Sequence, residues 1–459
     1  MRRVVLALLL SLAGAGLAQA EPGDAAGTAA VMAWLREHAR PLAGVDAGAP
    51  RDDLAALGDL VGDARVVALG EQTHGTSEFF RMKHRALEHL VLEHGFTLFA
   101  IEANMPEAER LNRYVLSGEG DAQDLLAGLH SWTWHTEEVL ALIAWMRDHN
   151  EAAEVPVRFT GFDMQYPDVA VENVRAFLAD HDPELLAAYE ADLTAAAATS
   201  RLRGSSEAPS PELRERVDEL VAAMTAREAG YAAAAGEDAA AWAVQDGRVV
   251  AQSLGLASGG TRWRDEAMAR NLLWLLDRYP GERMLVWAHN GHVSKAAGWM
   301  GSHLAAALGD AYVCVAFSFE QGAYTAYDPE FGGVGASVAG PAPAGTVDRL
   351  LAEVGPDVFL LDLRDAAGSA VEPWFLAPRR FRAVGAVAVH DAGSFAPATL
   401  GEEFDGVIFV RRSTPSRRLP RAGRVGSAAG AWALPPAPSP EPAGRAARTR
   451  GRRPDVLDS

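Results

Sequence analysis

The sequence predicts an α/β fold: a mostly parallel central sheet flanked by helices, with a mainly helical insertion or cap. Three observations carry that expectation. Short apolar runs recur along the chain and are near-continuous rather than alternating, as parallel strands covered on both faces are. Helical text separates them, and the resulting β-α-β rhythm suits right-handed crossovers. From about Val169 to Pro280 strand signals stop and Ala-rich helical text takes over.

The chain opens with "MRRVVLALLLSLAGAGLAQA", in which Arg2 and Arg3 precede an apolar run and an Ala18-Gln19-Ala20 end. That is the pattern of a secretory signal peptide spanning 1–20, and it implies a secreted or periplasmic protein. No later apolar run approaches the ~20 residues that a membrane span needs, so no stable membrane insertion is expected after cleavage. The strands are read at Arg65–Gly70, Thr97–Glu102, Val157–Asp163, Met284–Asn290, Tyr312–Phe319, Val358–Leu363 and Gly406–Arg411. Between the first two, Phe79, Phe80, Met82, Ala86, Leu87, Leu90 and Val91 recur at helical spacing, with Thr76 as N-cap and Gly95 as the C-terminal stop. The α/β catalytic core is therefore placed at 45–168 and 281–411, and the helical insertion at 169–280. The Arg-, Pro- and Ala-rich segment 412–459 is read as a disordered tail.

Charge is divided unevenly. The 459 residues carry a net charge of −19, yet the chain from Arg411 onward holds 11 Arg against 3 acidic residues. The remainder, with 31 basic and 58 acidic residues, is strongly acidic and unsuited to binding nucleic acid. Cys314 is the lone cysteine, set in the apolar run "YVCVAF", which excludes an internal disulfide and a multi-thiolate zinc site.

Candidate chemistry collects where strands end. "VVALGEQTHGTSEFF" places Glu71, His74 and Glu78 within eight residues after the first strand. Glu102 closes the second strand, Asp163 the third, and His289 follows "LVWA" in "AHNGHVSK", with His292 three residues on. Ligands of open α/β sheets bind beyond the carboxyl ends of the strands, so these distant residues are expected to meet. A histidine flanked by carboxylates suits activation of water. No GxSxG nucleophile elbow is present, since Gly335-Ala-Ser337-Val-Ala339 lacks its last glycine. His289-x-x-His292 invites a metal reading, but HExxH is absent and no cofactor is assigned. Glu78 suits a helix N-terminus, and the tryptophans of "HSWTWHTEEV" suit core packing. Arg264, on one helical face with Met268 and Asn271, is expected to pair with an active-site carboxylate.

Taken in order, "LGEQTHGTSEFF", "FAIEANMPEAERLNRYV", "HSWTWHTEEV", "RDEAMARNLLWL" and "WAHNGHVSK" resemble the erythromycin esterase family from roughly Asp52 to Val410. The resemblance implies an enzyme that opens a macrolactone by hydrolysis without a serine nucleophile. It implies that His74 is the general base, that Glu71 and Glu102 flank it, and that His289 and His292 complete the site. Trp134, Lys83, Arg264 and Asp163 are taken as candidate substrate-binding residues for a small ester or lactone. Two other readings stand beside this one: a hydrolase of a non-macrolide ester, and a non-catalytic metal- or cofactor-binding protein that uses the same His and Glu cluster.

Overall fold

The computed structural model describes residues 25–205, 208–389 and 391–420. The leader at 1–20 and the tail beyond residue 420 lie outside these residues. Nine strands form one mixed sheet. In chain order they are β1 (Arg40–Pro41), β2 (Val66–Leu69), β3 (Phe96–Asn104), β4 (Arg158–Asp163), β5 (Arg283–Trp287), β6 (Tyr312–Asp328), β7 (Gly333–Ala339), β8 (Val358–Asp362) and β11 (Gly406–Ser413). A separate two-stranded ribbon pairs β9 (Arg379–Arg382) with β10 (Phe395–Ala398). The sheet order is β1-β8-β11-β6-β2-β5-β3-β4, with β7 hydrogen-bonded to the extended end of β6. From β11 to β4 every neighbour is parallel, while β8, β1 and β7 are antiparallel additions.

The continuous apolar runs have a direct cause. Along β2, Val66 and Ala68 face one hydrophobic core, whereas Val67 and Leu69 face another. The same alternation splits Met284 and Val286 from Leu285 and Trp287 on β5, so neither face of the central strands meets water. Phe79, Met82 and Leu87 from the helix Ser77–His94 cover one face. That helix starts after Thr76 and stops at Gly95, which takes a left-handed φ of 68°. Val174, Val244 and Leu272, from helices that follow β4, cover the other face.

Those helices occupy Asp168–His181, Pro183–Ala198, Pro211–Ala235 and Glu237–Arg278. The last is a hairpin rather than one rod. Gly260 leaves the helical region at φ 60°, ψ −152°, a conformation open to glycine, and the chain turns back on itself. Arg278 consequently pairs with Asp238, forty residues earlier. Asn271 donates to the Phe162 carbonyl at 2.9 Å and accepts from Gln245 and Gln252 at 2.9 Å each, tying both arms to the end of β4. The buried polar face noted in the sequence thus has its partners.

Two features differ from expectation. Residues 412–420 are part of the fold: Arg412 and Ser413 finish β11, and Thr414 donates to both oxygens of Glu78 at 2.7 Å from its N–H and its hydroxyl. Glu78 anchors this strap as well as lying in the first turn of its helix. Strands β1, β7, β9 and β10 had no apolar run to mark them, and β1 lies before the core start expected at 45.

Between the helical layer and the sheet lie buried carboxylates outside the strand-end cluster. Burial pushes Glu107 up to about 7, and it holds Asp246 well above the usual range despite a 3.0 Å hydrogen bond from Asn173. A carboxyl whose folded pKa is raised binds its proton more tightly in the native state. Stability is therefore lost as pH climbs above the unfolded value near 4. Asp246→Asn should gain thermal stability on the wild type at pH 8 relative to pH 5.5. Parallel melting curves at the two pH values check this; an equal difference at both would contradict the assignment.

Candidate functional site

Four adjacent strands, β2, β5, β3 and β4, deliver an ionisable residue at or just past their carboxyl ends: Glu71, His289, Glu102 and Asp163. Ladder pairing brings Leu69, Trp287 and Ile101 level, so the three chains reach the crevice together. The turn after β2 is tight. A Cβ on Gly70 would sit 2.1 Å from Asn290 Oδ1, which is why glycine stands there. Asn290 in turn spans to β6, donating to the Phe317 carbonyl at 2.9 Å and accepting its N–H at 3.1 Å. That clamp fixes the segment carrying His289 and His292.

Glu71 is fully buried and saturated. Its Oε1 takes His74 Nδ1 at 2.8 Å, and its Oε2 takes Lys83 Nζ at 2.6 Å and Trp287 Nε1 at 2.7 Å. Burial alone would raise its pKa, but Lys83 and His74 outweigh that and hold it below the usual value. Lys83, with no exposed side-chain surface, is pushed down to about 8 by burial against the pull of Glu71. The pair is therefore ionised at neutral pH. An ionised Glu71 fixes His74 with Nδ1–H donating, which leaves Nε2 as a lone-pair acceptor. No protein group hydrogen-bonds Nε2 among the described residues, and the His74 side chain keeps 13% of its surface exposed.

Beside this relay stands a second cluster. Arg264 reaches in from the returning arm of the helical hairpin. Its Nη2 donates to Asp163 Oδ2 and Glu102 Oε1, both at 2.7 Å, and its Nε faces Asp163 Oδ1 at 3.1 Å. His292 Nδ1 donates to Asp265 Oδ1 at 2.7 Å, while its Nε2 faces Glu102 Oε1 at 3.4 Å and Arg264 Nη1 at 3.1 Å. Three carboxylates thus surround two cations. Burial disfavours a charged imidazole, yet Glu102 and Asp265 prevail and raise His292 to about 9. Its Nε2–H is then directed at Glu102, and the guanidinium approach is a contact between two donors held by shared carboxylates. At Glu102, burial is likewise outweighed by His292 and Arg264, which hold it well below the carboxylate range.

His289 joins the two clusters. Its backbone N–H donates to Glu102 Oε2 at 3.0 Å, and its ring lies 5.3 Å from that of His74. Nδ1 accepts from Gly291 N–H at 3.1 Å and Nε2–H faces the Gln72 carbonyl at 3.3 Å. Burial, together with the neighbouring His74 and His292, pushes it down to about 3, so it is neutral. A loop at 383–389 closes this side: Gly385 accepts the His74 backbone N–H at 3.1 Å and donates its own to the Gln72 carbonyl.

All five candidate catalytic residues therefore meet. The four candidate substrate-binding residues are placed differently. Lys83 and Asp163 are enclosed beneath the cluster as counter-ions, and Trp134 is 2% exposed, its Nε1 donating to the Glu102 carbonyl at 3.1 Å. Only Arg264 retains side-chain surface, at 16%. Lys83, Asp163 and Trp134, expected to bind substrate, are buried in this structure and touch the cluster from below. Asp265, Trp287 and the loop at Gly385 were not expected. A buried acid next to Arg264 was the sole hint of the first, and the other two carried no signal. As a metal site the His-x-x-His pair fits poorly, because Arg264 puts a positive charge against His292 Nε2. Among the described residues no group of three or more His, Cys, Asp or Glu is arranged to hold a metal ion.

The erythromycin esterase family model matches residues 91–413. That stretch includes Glu102, Asp163, Arg264, His289 and His292, and begins after Glu71 and His74. Erythromycin esterase type II of Escherichia coli is 27% identical over 314 residues, covering 61% of this chain and 74% of that protein. The putative hydrolase YbfO of Bacillus subtilis is 24% identical over 425 residues, 83% and 91% of the two chains. A crystal structure of a Bacillus cereus protein aligns with TM-score 0.77 at 27% identity, covering 86% of this chain and 99% of that one. A variant of the erythromycin esterase EreC in its open conformation aligns with TM-score 0.60 at 18% identity, over 80% and 95% of the chains, a likeness of fold.

Proposed function

The chain belongs to the erythromycin esterase family, and we propose that it hydrolyses a small-molecule carboxylic ester or lactone by direct attack of water, as the erythromycin esterase and the putative hydrolase named among its relatives suggest. The observation that carries this reading is the relay from Lys83 and Trp287 through Glu71 to His74 Nδ1, which leaves Nε2 free to take a proton.

His74 Nε2 removes a proton from water as the hydroxide oxygen bonds to the ester carbonyl carbon. Glu71 stabilises the imidazolium that forms. Negative charge then grows on the carbonyl oxygen, and the cationic pair Arg264 and His292 supplies the positive field to stabilise it. Collapse breaks the acyl C–O bond. The alkoxide takes a proton from the His74 imidazolium, which restores the free base and releases acid and alcohol. His289, neutral and hydrogen-bonded on both nitrogens, shapes the wall between His74 and Glu102. No Ser or Thr hydroxyl bonds to any of the three imidazoles among the described residues, which suits a mechanism without an acyl-enzyme. The leader read at 1–20 would place this activity outside the cytoplasm.

Mass spectrometry of erythromycin and a panel of simple esters, incubated with the protein with and without a chelator, tests the reading. A gain of one water by the lactone, or acid and alcohol from an ester, is expected, and the chelator should not change it. Tightly bound stoichiometric metal with no hydrolysis of any ester would instead establish the non-catalytic reading.

A further inference from the structure

A cavity of about 320 Å³ opens between β7 and the β9–β10 ribbon, away from the strand-end cluster and within the usual size range of small-molecule sites. Its floor is apolar, with Val338, Pro341, Val389 and Phe395, and two arginines, Arg380 and Arg382, supply its charge. Among the described residues no acidic side chain lines it. Both guanidinium groups lie against the same ring: Cζ of Arg382 is 4.7 Å and Cζ of Arg380 is 5.3 Å from the centre of Phe395. Neither has a carboxylate partner among the described residues.

Arg382 is the telling residue. It is 3% exposed, and its Nη2 donates to the carbonyls of Glu320 at 2.8 Å and Gly340 at 3.3 Å. Its Nε is buried with no hydrogen-bond partner. The carboxylates nearby are engaged elsewhere: Asp348 accepts the Arg382 backbone N–H at 3.0 Å and the side chains of Gln72 and Ser318, and Glu320 pairs with Arg349 and Arg411. Asp348 is close enough to act on the Arg382 charge, yet no carboxylate among the described residues bonds to the guanidinium, and a buried cation with an unused donor is costly unless an anion completes it. Packing between Phe319 and Phe395 explains where the Arg382 guanidinium sits. It does not explain why Arg380 joins it at a cavity where no described residue supplies an acid.

We infer that this cavity binds an amphipathic carboxylate, its head on Arg380 and Arg382 and its chain on Val338, Val389 and Phe395. A planar carboxylate matches the guanidinium fork, and the apolar floor selects against a bare inorganic anion. The inference does not depend on the hydrolase reading. Its position has a consequence for the site above, however. Arg382 and Val389 bracket the loop whose Gly385 touches His74 and Gln72, so a ligand here holds both ends of that loop.

Titration with octanoate, followed by isothermal calorimetry and by the shift in thermal midpoint, tests it on the full chain. Octanoate should bind the wild type and His74→Asn alike, whereas octan-1-ol and sulfate should bind far more weakly. Arg380→Gln should weaken octanoate binding at least about tenfold, the worth of one charge-assisted pair. Val389→Glu, which adds a like charge to the wall, should do the same without touching an arginine. Octanoate that fails to bind, binds Arg380→Gln and Val389→Glu as well as wild type, or is matched by sulfate would overturn the assignment. Loss of binding in His74→Asn alone would place the ligand in the strand-end site instead.

Discussion

Replacing His74 with Asn is expected to lower turnover of any ester the protein hydrolyses by about 10²–10⁴-fold, the usual worth of a general base. The fold should hardly notice. His74 lies at the rim, and Glu71 keeps its bonds from Lys83 and Trp287 when the imidazole is gone. The thermal midpoint should therefore stay within a few degrees of wild type. Initial rates and melting curves on the same preparations separate the two effects. Near-normal turnover would remove His74 from the chemistry, and a large loss of stability would make it a packing residue.

Lys83→Met is expected to have the largest effect on stability. Lys83 and Glu71 are both wholly buried, and among the described residues Lys83 is the only full positive charge bonded to Glu71. Removing it leaves a carboxylate stranded in a low-dielectric interior, which costs about 3–5 kcal/mol. Glu71 should respond by taking up a proton, so that it no longer holds His74 with Nδ1–H donating, and activity falls with stability. Adding Glu71→Gln to Lys83→Met removes the stranded charge and should restore much of the stability, but not the activity. Denaturant unfolding of the two single variants and the double variant closes the cycle. Additive losses would show that the pair does not interact as the geometry implies.

The strands were legible because their physics is local. A run such as Val66–Leu69, apolar on both faces, can be little else in a chain with this rhythm, and Thr76 and Gly95 bracket their helix as capping preferences demand. Strand β7, reading Gly-Val-Gly-Ala-Ser-Val-Ala, is held by backbone pairing to β6 rather than by side chains, so no pattern announces it. The meeting of the candidate residues was legible for a topological reason: parallel strands end on one side, and four ended in Glu, His or Asp. What could not be read was the division of labour among them. Lys83 and Trp134 read from the sequence as ligand-binding side chains, and their burial beneath the cluster has no local trace. Asp265 depends on the hairpin at Gly260 swinging residues 261–278 back over β4, a tertiary fact that its place beside Arg264 only hints at. The segment after Arg411 looks compositionally disordered, yet its first residues find Glu78 and Glu138 waiting as acceptors.

Under the proposed mechanism water attacks the substrate directly and no acyl group passes through the protein. Intact-protein mass spectrometry of samples quenched during steady-state turnover of a hydrolysed ester tests it most directly. The protein should keep its unmodified mass at every time point while acid and alcohol accumulate. A species heavier by the acyl group, formed and lost at the rate of turnover, would contradict the claim and put a protein nucleophile in the place assigned to water.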